Sequence, residues 1–307
     1  MEENLDSFEK IKVPALDEIL GKKFPVLDDG FIRVVDYMGS DESIVQAARV
    51  SYGKGTKKVT EDRGLIRYLM RHHHTTPFEM CEIKLHVRVP MDTWRQWIRH
   101  RTANVNEYST RYSIAIDASQ KTNLSEWRIQ AKNNKQGSEG FFPDEIGSKL
   151  SEREKELQDF ARGIYQERLS LGVAREQARK DLPLSTYTEA YWKIDLQNLL
   201  HFLALRMESH AQYEIRSYAN IIGNEIVNRW CPVAWEAFQD YRMNALSFSL
   251  QELEILKEIY KGNKFEVNKL ADSYGWLKII DKRFTKNIER AEFEEKLERL
   301  GIEKPWE

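Results

Sequence analysis

Polar and cationic side chains crowd one short segment of the sequence, RHRTANVNEYSTRY, which runs from Arg99 to Tyr112. Its aliphatic side chains are a single alanine and a single valine. The guanidinium groups of Arg99, Arg101 and Arg111 offer forked donors suited to phosphate. Amide, hydroxyl and guanidinium groups that alternate with aromatic rings are costly to order without a ligand. The segment therefore predicts a pocket for an anion, with a solvated basic loop as the alternative.

A second set of polar side chains lies in the segment HFLALRMESHAQYEIRSY. Arg206 and His210 are four residues apart there and share a helix face. An arginine in an otherwise apolar helix is seldom buried unless it pairs with an anion. The anion is either a ligand or an intramolecular carboxylate, such as that of Glu208 or Glu214, and the residues alone leave both open.

Three consecutive histidines, His72, His73 and His74, precede a proline turn in RHHHTTPFEM. Adjacent residues on a helix point about 100° apart, so the run alone does not predict a metal site. A helix C-terminus, where a cationic imidazole interacts favourably with the helix dipole, accounts for His72 and His73. Thr76 and Glu79 flank the rigid turn and are predicted to face a pocket. The three segments together indicate a pocket for phosphate and a planar heterocycle, and they do not name the reaction.

The composition favours a globular protein of enzyme size. The 307 residues are 41% hydrophobic, which is enough for a sizeable core. Lys and Arg number 47 against 49 Asp and Glu, so no global positive field favours nucleic acid or an anionic membrane surface. The acidic start lacks the apolar stretch of a signal peptide, and no apolar run approaches the ~20 residues that span a bilayer. We expect a cytoplasmic protein that binds neither nucleic acid nor membrane.

The two cysteines, Cys81 and Cys231, are far apart in the sequence and fit neither a disulfide framework nor a zinc-binding spacing. In CEIKLHVRVP, apolar residues alternate with polar ones, which predicts a half-buried strand with Cys81 in the core. Cys231 precedes a proline and shows no basic surroundings that would lower the pKa of its thiol. Neither cysteine is a predicted nucleophile.

The predicted elements run strand, helices, strand and then mostly helix. After a lead of about 28 residues, we predict a strand over 30–39, helices within 40–53, 60–74 and 91–100, a strand over 81–89 and a long polar loop over 119–143. The N-terminal caps of the first two helices are assigned to Ser40 or Asp41 and to Thr60. No regular alternation of strand and helix occurs, which favours an α+β fold over a doubly wound sheet.

Three further expectations concern the C-terminal half. Capping boxes formed by Ser151 with Glu154 and by Ser249 with Glu252 predict the starts of two helices. Residues 186–230 are predicted to form one or two long helices, with Trp192 on the apolar side. The known glycine-rich phosphate loops are absent from the sequence, so any nucleotide is held without one.

The segment RHRTANVNEYSTRY resembles the RHR-x7-S motif of flavin-dependent thymidylate synthases, enzymes that methylate dUMP without a catalytic cysteine. Other segments resemble successive blocks of that family in the right order, including GFIRVVDYMGSDESIVQAARVSY, LIRYLMRHHHTTPFE, WRQWIRHR, REQARKDLPLSTYT and LALRMESHAQYEI. The resemblance implies an α+β fold with a central mixed or antiparallel sheet, long helices in the C-terminal half, and a homotetramer with shared active sites. It assigns 30–244 to the family domain, 1–29 to an N-terminal extension and 245–307 to a helical C-terminal extension of unknown role.

The resemblance also implies the chemistry. NADPH reduces FAD, 5,10-methylenetetrahydrofolate supplies a methylene group to dUMP, and the flavin hydride completes the methyl group of dTMP. The catalytic residue implied is Arg206, whose guanidinium stabilises negative charge on the pyrimidine as N3 loses its proton, which makes C5 electron-rich. With a pKa normally above ~12, arginine suits this electrostatic role better than accepting the proton.

Site residues carry over from the family by position, and no metal ligand is among them. The expected flavin contacts are Thr76, Arg99, His100, Arg101, Thr102, Glu107, Asp195, Leu196, Gln197, His201 and His210, with His74 near the flavin. The expected dUMP contacts are Gln96, Arg99, Glu107, Tyr108, Ser109, Thr110, Arg111, Arg179 and Arg206. Ser109 lacks a visible base partner and is assigned to binding. Three positions depart from the family pattern: Asp195 and His201 stand where asparagine is frequent, and Asn104 replaces a serine.

Two other functions fit parts of the pattern. A nucleic-acid binding protein would place arginines of the opening segment on phosphates and use Tyr108 and Tyr112 for stacking. The nearly balanced charge counts against it, because affinity for polyanions rests on many basic contacts. The other alternative is a flavin- and folate-dependent methyltransferase that acts on uracil in RNA.

Overall fold

The computed structural model describes residues 10–50, 59–131, 137–280 and 283–306, with the side chains at 59–61 excepted. The end of the helix predicted over 40–53 lies outside this description. The cap predicted at Thr60 is wrong, because Thr60 lies within the helix Val59–Arg71 and an N-cap residue stands before the first helical residue. The chain divides into two compact units, Met1–Met243 and Asn244–Glu307. None of the helices in the described part of the chain combines the length and the apolar character that a membrane span needs.

The elements are numbered along the chain. The strands are β1 (Phe24–Val26), β2 (Gly30–Met38), β3 (Glu82–Pro90), β4 (Asn104–Glu107), β5 (Arg128–Gln130), β6 (Ser138–Phe141), β7 (Tyr187–Asp195), β8 (Ile279–Ile280) and β9 (Arg283–Phe284). The helices are α1 (Pro14–Asp17), α2 (Asp41–Val50), α3 (Val59–Arg71), α4 (Thr76–Glu79), α5 (Met91–Trp97), α6 (Asp144–Ser170), α7 (Arg175–Ala178), α8 (Leu196–Arg206), α9 (Tyr213–Ile221), α10 (Asn228–Trp230), α11 (Pro232–Phe238), α12 (Leu250–Tyr260), α13 (Lys264–Ser273) and α14 (Ile288–Arg299). A 3-10 turn (Arg179–Asp181) follows α7, and π-helical stretches follow α9 (Ile222–Val227) and α11 (Gln239–Met243).

The first unit is built around a five-stranded antiparallel sheet in the order β1-β2-β3-β7-β4. In β3 the side chains of Ile83, Leu85, Val87 and Val89 are buried and their neighbours are half-buried, so the predicted strand is confirmed. The helices bury their apolar stripes against the same core, which Trp97, Trp192 and Phe202 fill with contacting rings. The α+β prediction is confirmed.

The start of the predicted helical segment 186–230 is the strand β7, and the helices α8, α9 and α10 follow it. Ala190, Trp192 and Ile194 are buried at every second position, while β7 pairs with β3 on one side and β4 on the other. The helix prediction was wrong here. The apolar stripe on which it rested joins Trp192 to leucines that lie in α8, so it extends a real helical pattern back into a strand. The period of two within β7 is the signal that predicts a strand.

Three other predictions need correction. The first 28 residues were predicted to precede any regular element, but α1 and β1 lie there and bury Leu16 and Val26 in the main core. The polar segment 119–143 holds the hairpin β5-β6. The helix predicted to begin near Ser151 begins at Asp144 instead, and the Ser151 hydroxyl donates to the Thr122 carbonyl at 2.8 Å. A capping box is satisfied only at a free helix start, and Ser151 lies inside a helix of 27 residues.

The second unit has a core of its own. Ile255, Trp276, Phe293 and Leu297 from α12, α14 and the segment after α13 are all buried in it. Helix α12 begins with a complete capping box between Ser249 and Glu252, as predicted. Such a box satisfies backbone N–H groups that would otherwise lack partners at the helix start.

Candidate functional site

Six predicted site residues line one cavity of about 330 Å³, which we call the RHR cavity. Its full lining is Arg99, His100, Arg101, Thr102, Ile194, Asn198, His201, Leu205 and Arg206. Residues 99–102 form the turn between α5 and β4, and the remaining residues come from the end of β7 and from α8. The fold therefore brings together two distant segments, and a hydrogen bond joins them between His100 and Arg206, which are 106 residues apart.

Arg206 is held by a histidine. Its Nε–H donates to Nε2 of His100 at 3.1 Å, and burial lowers the pKa of the arginine. Burial, followed by the neighbouring Arg206 and His201, lowers the pKa of His100 to about 4. His100 is therefore neutral near pH 7, with its proton on Nδ1, because Nε2 must accept.

The two carboxylates considered as partners of Arg206 are engaged elsewhere. Glu208 pairs with His210 at 2.7 Å, and Glu214 pairs with Arg128 at 2.6 Å. The proposed pair between Arg206 and either carboxylate is therefore wrong. Within the described ranges the terminal nitrogens of Arg206 have no protein acceptor, so they are available to a ligand.

Arg99 and Arg101 are exposed at the RHR cavity. Neither guanidinium forms a hydrogen bond or ion pair with any residue that the structure describes. Every ionisable residue in the cavity lining is basic, either arginine or histidine. This concentration of positive charge suits a diphosphate or another polyanion.

Glu107 is fixed by two donors although β4 lies at the edge of the sheet. Trp94 Nε1–H donates to one carboxylate oxygen at 3.1 Å, and the Thr188 hydroxyl donates to the other at 2.8 Å. Nearby on α5, the Gln96 side-chain amide donates to the Gln212 side chain. These contacts orient two predicted ligand-binding side chains before any ligand arrives.

The other predicted dUMP residues lie in a separate group, the Thr110 cluster, made of Thr110, Arg111, Glu176 and Arg179. The buried Thr110 hydroxyl accepts a hydrogen bond from Arg179, and Arg111 pairs with Glu176 at 3.3 Å. Ser109 begins this turn, and its carbonyl accepts from the backbone N–H groups of Tyr112 at 3.2 Å and Ser113 at 3.1 Å. None of these residues lines the RHR cavity.

Tyr108 leads from β4 into the Thr110 cluster. Its backbone N–H donates to the Glu189 carbonyl at 2.8 Å, and its hydroxyl donates to the Ile114 carbonyl at 2.9 Å. The phenol therefore braces the turn that follows it.

The remaining predicted flavin residues flank the start of α8. Helix α4, which begins with the exposed Thr76, packs against α8, and the exposed His74 stacks on Tyr68 at 5.9 Å between ring centroids. Asp195 caps α8, accepting from the Asn198 N–H at 2.9 Å. The cap gives Asp195 a structural role, which an asparagine at this position would also fill.

Three of the predicted flavin residues, Leu196, Gln197 and His210, are placed differently from the rest. Leu196 is a core residue with a fully buried side chain, and its N–H donates to the Cys81 carbonyl at 2.8 Å, while Gln197 beside it is half-buried. His210 does not line the RHR cavity. It is exposed beside a second cavity of about 760 Å³, which Gln212 and Arg216 also line.

Several residues that shape the site were missed by the sequence reasoning. Asn198 and Leu205 line the RHR cavity from the same face of α8 as His201, and their spacing along the helix was a usable signal. Trp94 and Thr188 fix Glu107 across the sheet, and no local pattern links them. Among the described residues, no group of three or more His, Cys, Asp or Glu side chains could hold a metal ion.

The two cysteines meet inside the core, away from the RHR cavity. Both are fully buried, and the Cys81 thiol donates to the Ser40 carbonyl at 3.4 Å. Burial, followed by the hydrogen bond to Cys81, raises the pKa of the Cys231 thiol. A buried thiol with a raised pKa is a poor nucleophile.

Comparison with known proteins defines the class of this protein. The model of the family described as thymidylate synthase complementing protein matches residues 33–233. A crystal structure titled as a UMP/dUMP methylase from Streptomyces cacaoi, bound with 5-Br UMP, is similar with a TM-score of 0.64 and 33% identity over 71% of this chain and 96% of that chain. The fold and the matches therefore define an α+β enzyme.

Curated relatives give the family. A protein of Wolbachia pipientis wMel is 52% identical over 250 residues, covering 81% of this chain and 88% of that protein. A protein of Rickettsia conorii (strain ATCC VR-613 / Malish 7) is 50% identical over 268 residues, covering 83% and 91%. Both are named flavin-dependent thymidylate synthase. The chain belongs to the flavin-dependent thymidylate synthase family, which confirms the resemblance stated from the RHR-x7-S motif.

Proposed function

We propose that this protein catalyses the reductive methylation of dUMP to dTMP in the cytoplasm, with 5,10-methylenetetrahydrofolate as one-carbon donor and NADPH as reductant of FAD. Family membership and the similarity to a dUMP methylase support the nucleotide substrate. The observation that carries the proposal is the single cavity that joins the RHR turn to Arg206. No cysteine nucleophile takes part, because both thiols are buried in the core.

The residues at the RHR cavity fit FAD. Arg99 and Arg101 supply unpaired guanidinium groups for its diphosphate, and Thr102, Asn198 and His201 supply further polar groups beside them. The glycine-rich loops that commonly hold dinucleotides are not needed when two arginines face the phosphates. Bound FAD supplies the hydride that completes the methyl group.

Arg206 activates the pyrimidine. The terminal nitrogens of its guanidinium donate to the uracil edge and stabilise the negative charge that forms as N3 loses its proton. Because a neutral imidazole holds Nε, the guanidinium is oriented before dUMP binds. The electron-rich C5 can then form its bond to the methylene carbon as that carbon's bond to its carrier breaks, and C5 later releases its hydrogen as a proton, without addition of a thiolate at C6.

The nucleotide is bound by a second set of donors. dUMP is held by Gln96, Arg99, Glu107, Tyr108, Ser109, Thr110, Arg111, Arg179 and Arg206, with Arg111 and Arg179 on its phosphate. The Thr110 cluster lies outside the RHR cavity of its own chain. A homotetramer resolves this separation, because the Thr110 cluster of one subunit completes the RHR cavity of another. Strand β4 supports such an interface, since all four of its residues are exposed at a sheet edge.

Three measurements test the proposal. Purified protein is expected to show flavin absorbance or to take up added FAD, and a colourless protein that binds no FAD overturns it. Tritium release from [5-³H]dUMP is expected to require both methylenetetrahydrofolate and NADPH. If uracil in RNA is methylated and dUMP is not, the RNA methyltransferase alternative replaces this proposal. Tetramer formation is measured by analytical ultracentrifugation, and a monomer with full turnover contradicts the shared site.

A further inference from the structure

Building on the proposed function, we propose that His100 is a positioning residue for Arg206, acting through the hydrogen bond between its Nε2 and the Arg206 Nε–H. The contact is 3.1 Å long and joins the end of α5 to the end of α8. It is the one side-chain hydrogen bond of Arg206 within the described ranges. The orientation of the guanidinium plane therefore depends on this histidine.

The imidazole is itself held in place. Its ring meets Phe202 edge-on, with 4.9 Å between centroids and 76° between planes, and His201 lies 6.0 Å away. The His100 backbone N–H donates to the Trp97 carbonyl at 3.0 Å, which ties the residue to the last turn of α5. Phe202 and Trp97 are both fully buried, so the ring rests on rigid core.

The hydrogen bond selects which donors face the ligand. A guanidinium carries five N–H donors in one plane, and Nε–H is occupied by His100. The four N–H groups on the terminal nitrogens stay free for the pyrimidine. Without the acceptor the guanidinium rotates about its last bonds, so dUMP would have to order it on binding.

Only a neutral imidazole can accept from Arg206. The charged or titratable side chains that line the cavity with it are Arg99 and Arg101 on its own turn and His201 and Arg206 on α8, and β7 contributes the apolar Ile194. No carboxylate lines the cavity, so nothing there favours the imidazolium. Burial, followed by the neighbouring Arg206 and His201, lowers the pKa of His100 and so keeps the acceptor unprotonated.

Two substitutions separate positioning from packing. His100→Phe keeps a ring against Phe202 but has no acceptor, and His100→Gln places a carbonyl oxygen near the position of Nε2. With FAD bound, we expect His100→Phe to lower kcat for dUMP by more than about 100-fold, in keeping with the loss of preorganised electrostatics. We expect His100→Gln to recover at least about tenfold of that loss. Equal loss in both variants, or full activity of His100→Phe, overturns the proposal.

A second readout does not depend on turnover. The unfolding free energies of the FAD-bound wild type, His100→Phe, Arg206→Ala and the double variant form a double-mutant cycle. We expect the effects to be non-additive, because His100→Phe removes no contact once Arg206 is absent. His201→Gln paired with Arg206→Ala is the matched control and should be additive. Additivity in the His100 cycle overturns the positioning role, whereas coupling in an enzyme that does not turn over dUMP contradicts only the proposed function.

Discussion

The indole N–H of Trp94 donates to the carboxylate of Glu107 at 3.1 Å and so connects α5 to the edge strand β4. The Thr188 hydroxyl on β7 donates to the other oxygen at 2.8 Å. Two donors from two elements leave the carboxylate little rotational freedom. A side chain on an exposed edge strand is thereby ordered in the way that ligand binding requires.

Glu107→Gln should weaken ligand binding without unfolding the protein. The amide oxygen can still accept from Trp94, while the negative charge is lost. Since hydrogen bonds to charged groups contribute about 1.5–3 kcal/mol, we expect a roughly 10- to 100-fold loss of dUMP affinity. Isothermal titration of the FAD-bound enzyme measures it, with Thr188→Val as a variant that removes one donor and should have a smaller effect. Wild-type affinity in Glu107→Gln would exclude a binding role.

Arg206→Ala should abolish turnover while FAD stays bound, because the role proposed for the guanidinium is to activate the pyrimidine and not to hold the flavin. Tritium release from [5-³H]dUMP measures the turnover, and the flavin spectrum of the same sample measures occupancy. Arg229→Ala is the matched control, since that arginine forms an exposed pair with Glu225 at 3.0 Å on a different helix. Normal turnover in Arg206→Ala would refute its assigned role.

Cys81→Ala and Cys231→Ala should each keep catalysis and lose stability. Both thiols are fully buried, so their removal leaves small cavities that cost about 1 kcal/mol or more. Urea denaturation measures the loss, and kcat should stay within about twofold of the wild type. A variant that folds, binds FAD and is inactive would restore cysteine catalysis as a hypothesis.

Asp41 caps a helix that lies 192 residues later in the chain. Its carboxylate accepts from the N–H groups of Val233 at 2.8 Å and Ala234 at 2.9 Å, at the start of α11. Asp41→Ala should therefore cost about 1–2 kcal/mol of unfolding free energy. Asp41→Asn keeps an acceptor and should cost clearly less in the same denaturation experiment. Equal losses would show that charge rather than the hydrogen bonds matters.

The lowered pKa of His100 predicts how stability depends on pH. In the unfolded chain this histidine takes up a proton near its ordinary pKa of 6.5, whereas in the folded protein it does so at about 4. Between these values the unfolded state binds more protons, so stability falls as the pH falls from 6.5 towards 4. Denaturation of the wild type and His100→Gln across this window should show the steeper loss in the wild type. Parallel curves would contradict the shift.

Local patterns predicted the elements whose partners are close in sequence. The alternation in β3 and the capping box between Ser249 and Glu252 depend on neighbouring residues, and both are confirmed. The resemblance to the RHR-x7-S motif predicted the family, and six of the site residues that it implied line the RHR cavity.

Predictions failed where a distant segment decides the outcome. Ser151 and Glu154 match a capping box but bond to Thr122 across a loop, and Trp192 fits a helical stripe but packs in a sheet. The hydrogen bond from Arg206 to His100 joins residues that no periodicity connects. Such contacts follow from tertiary packing, which local propensity does not contain.

The position of β7 in the sheet sets the order in which the protein can fold during synthesis. β7 pairs with both β3 and β4, and both of these strands precede it in the chain. While the ribosome is still adding residue 186, β4 has no neighbour in the sheet, and the RHR turn has no α8 to face. The RHR cavity is therefore completed late, after residues 99–102 have left the exit tunnel. A pause in translation before Tyr187 would leave residues 99–102 exposed to chaperones and proteases.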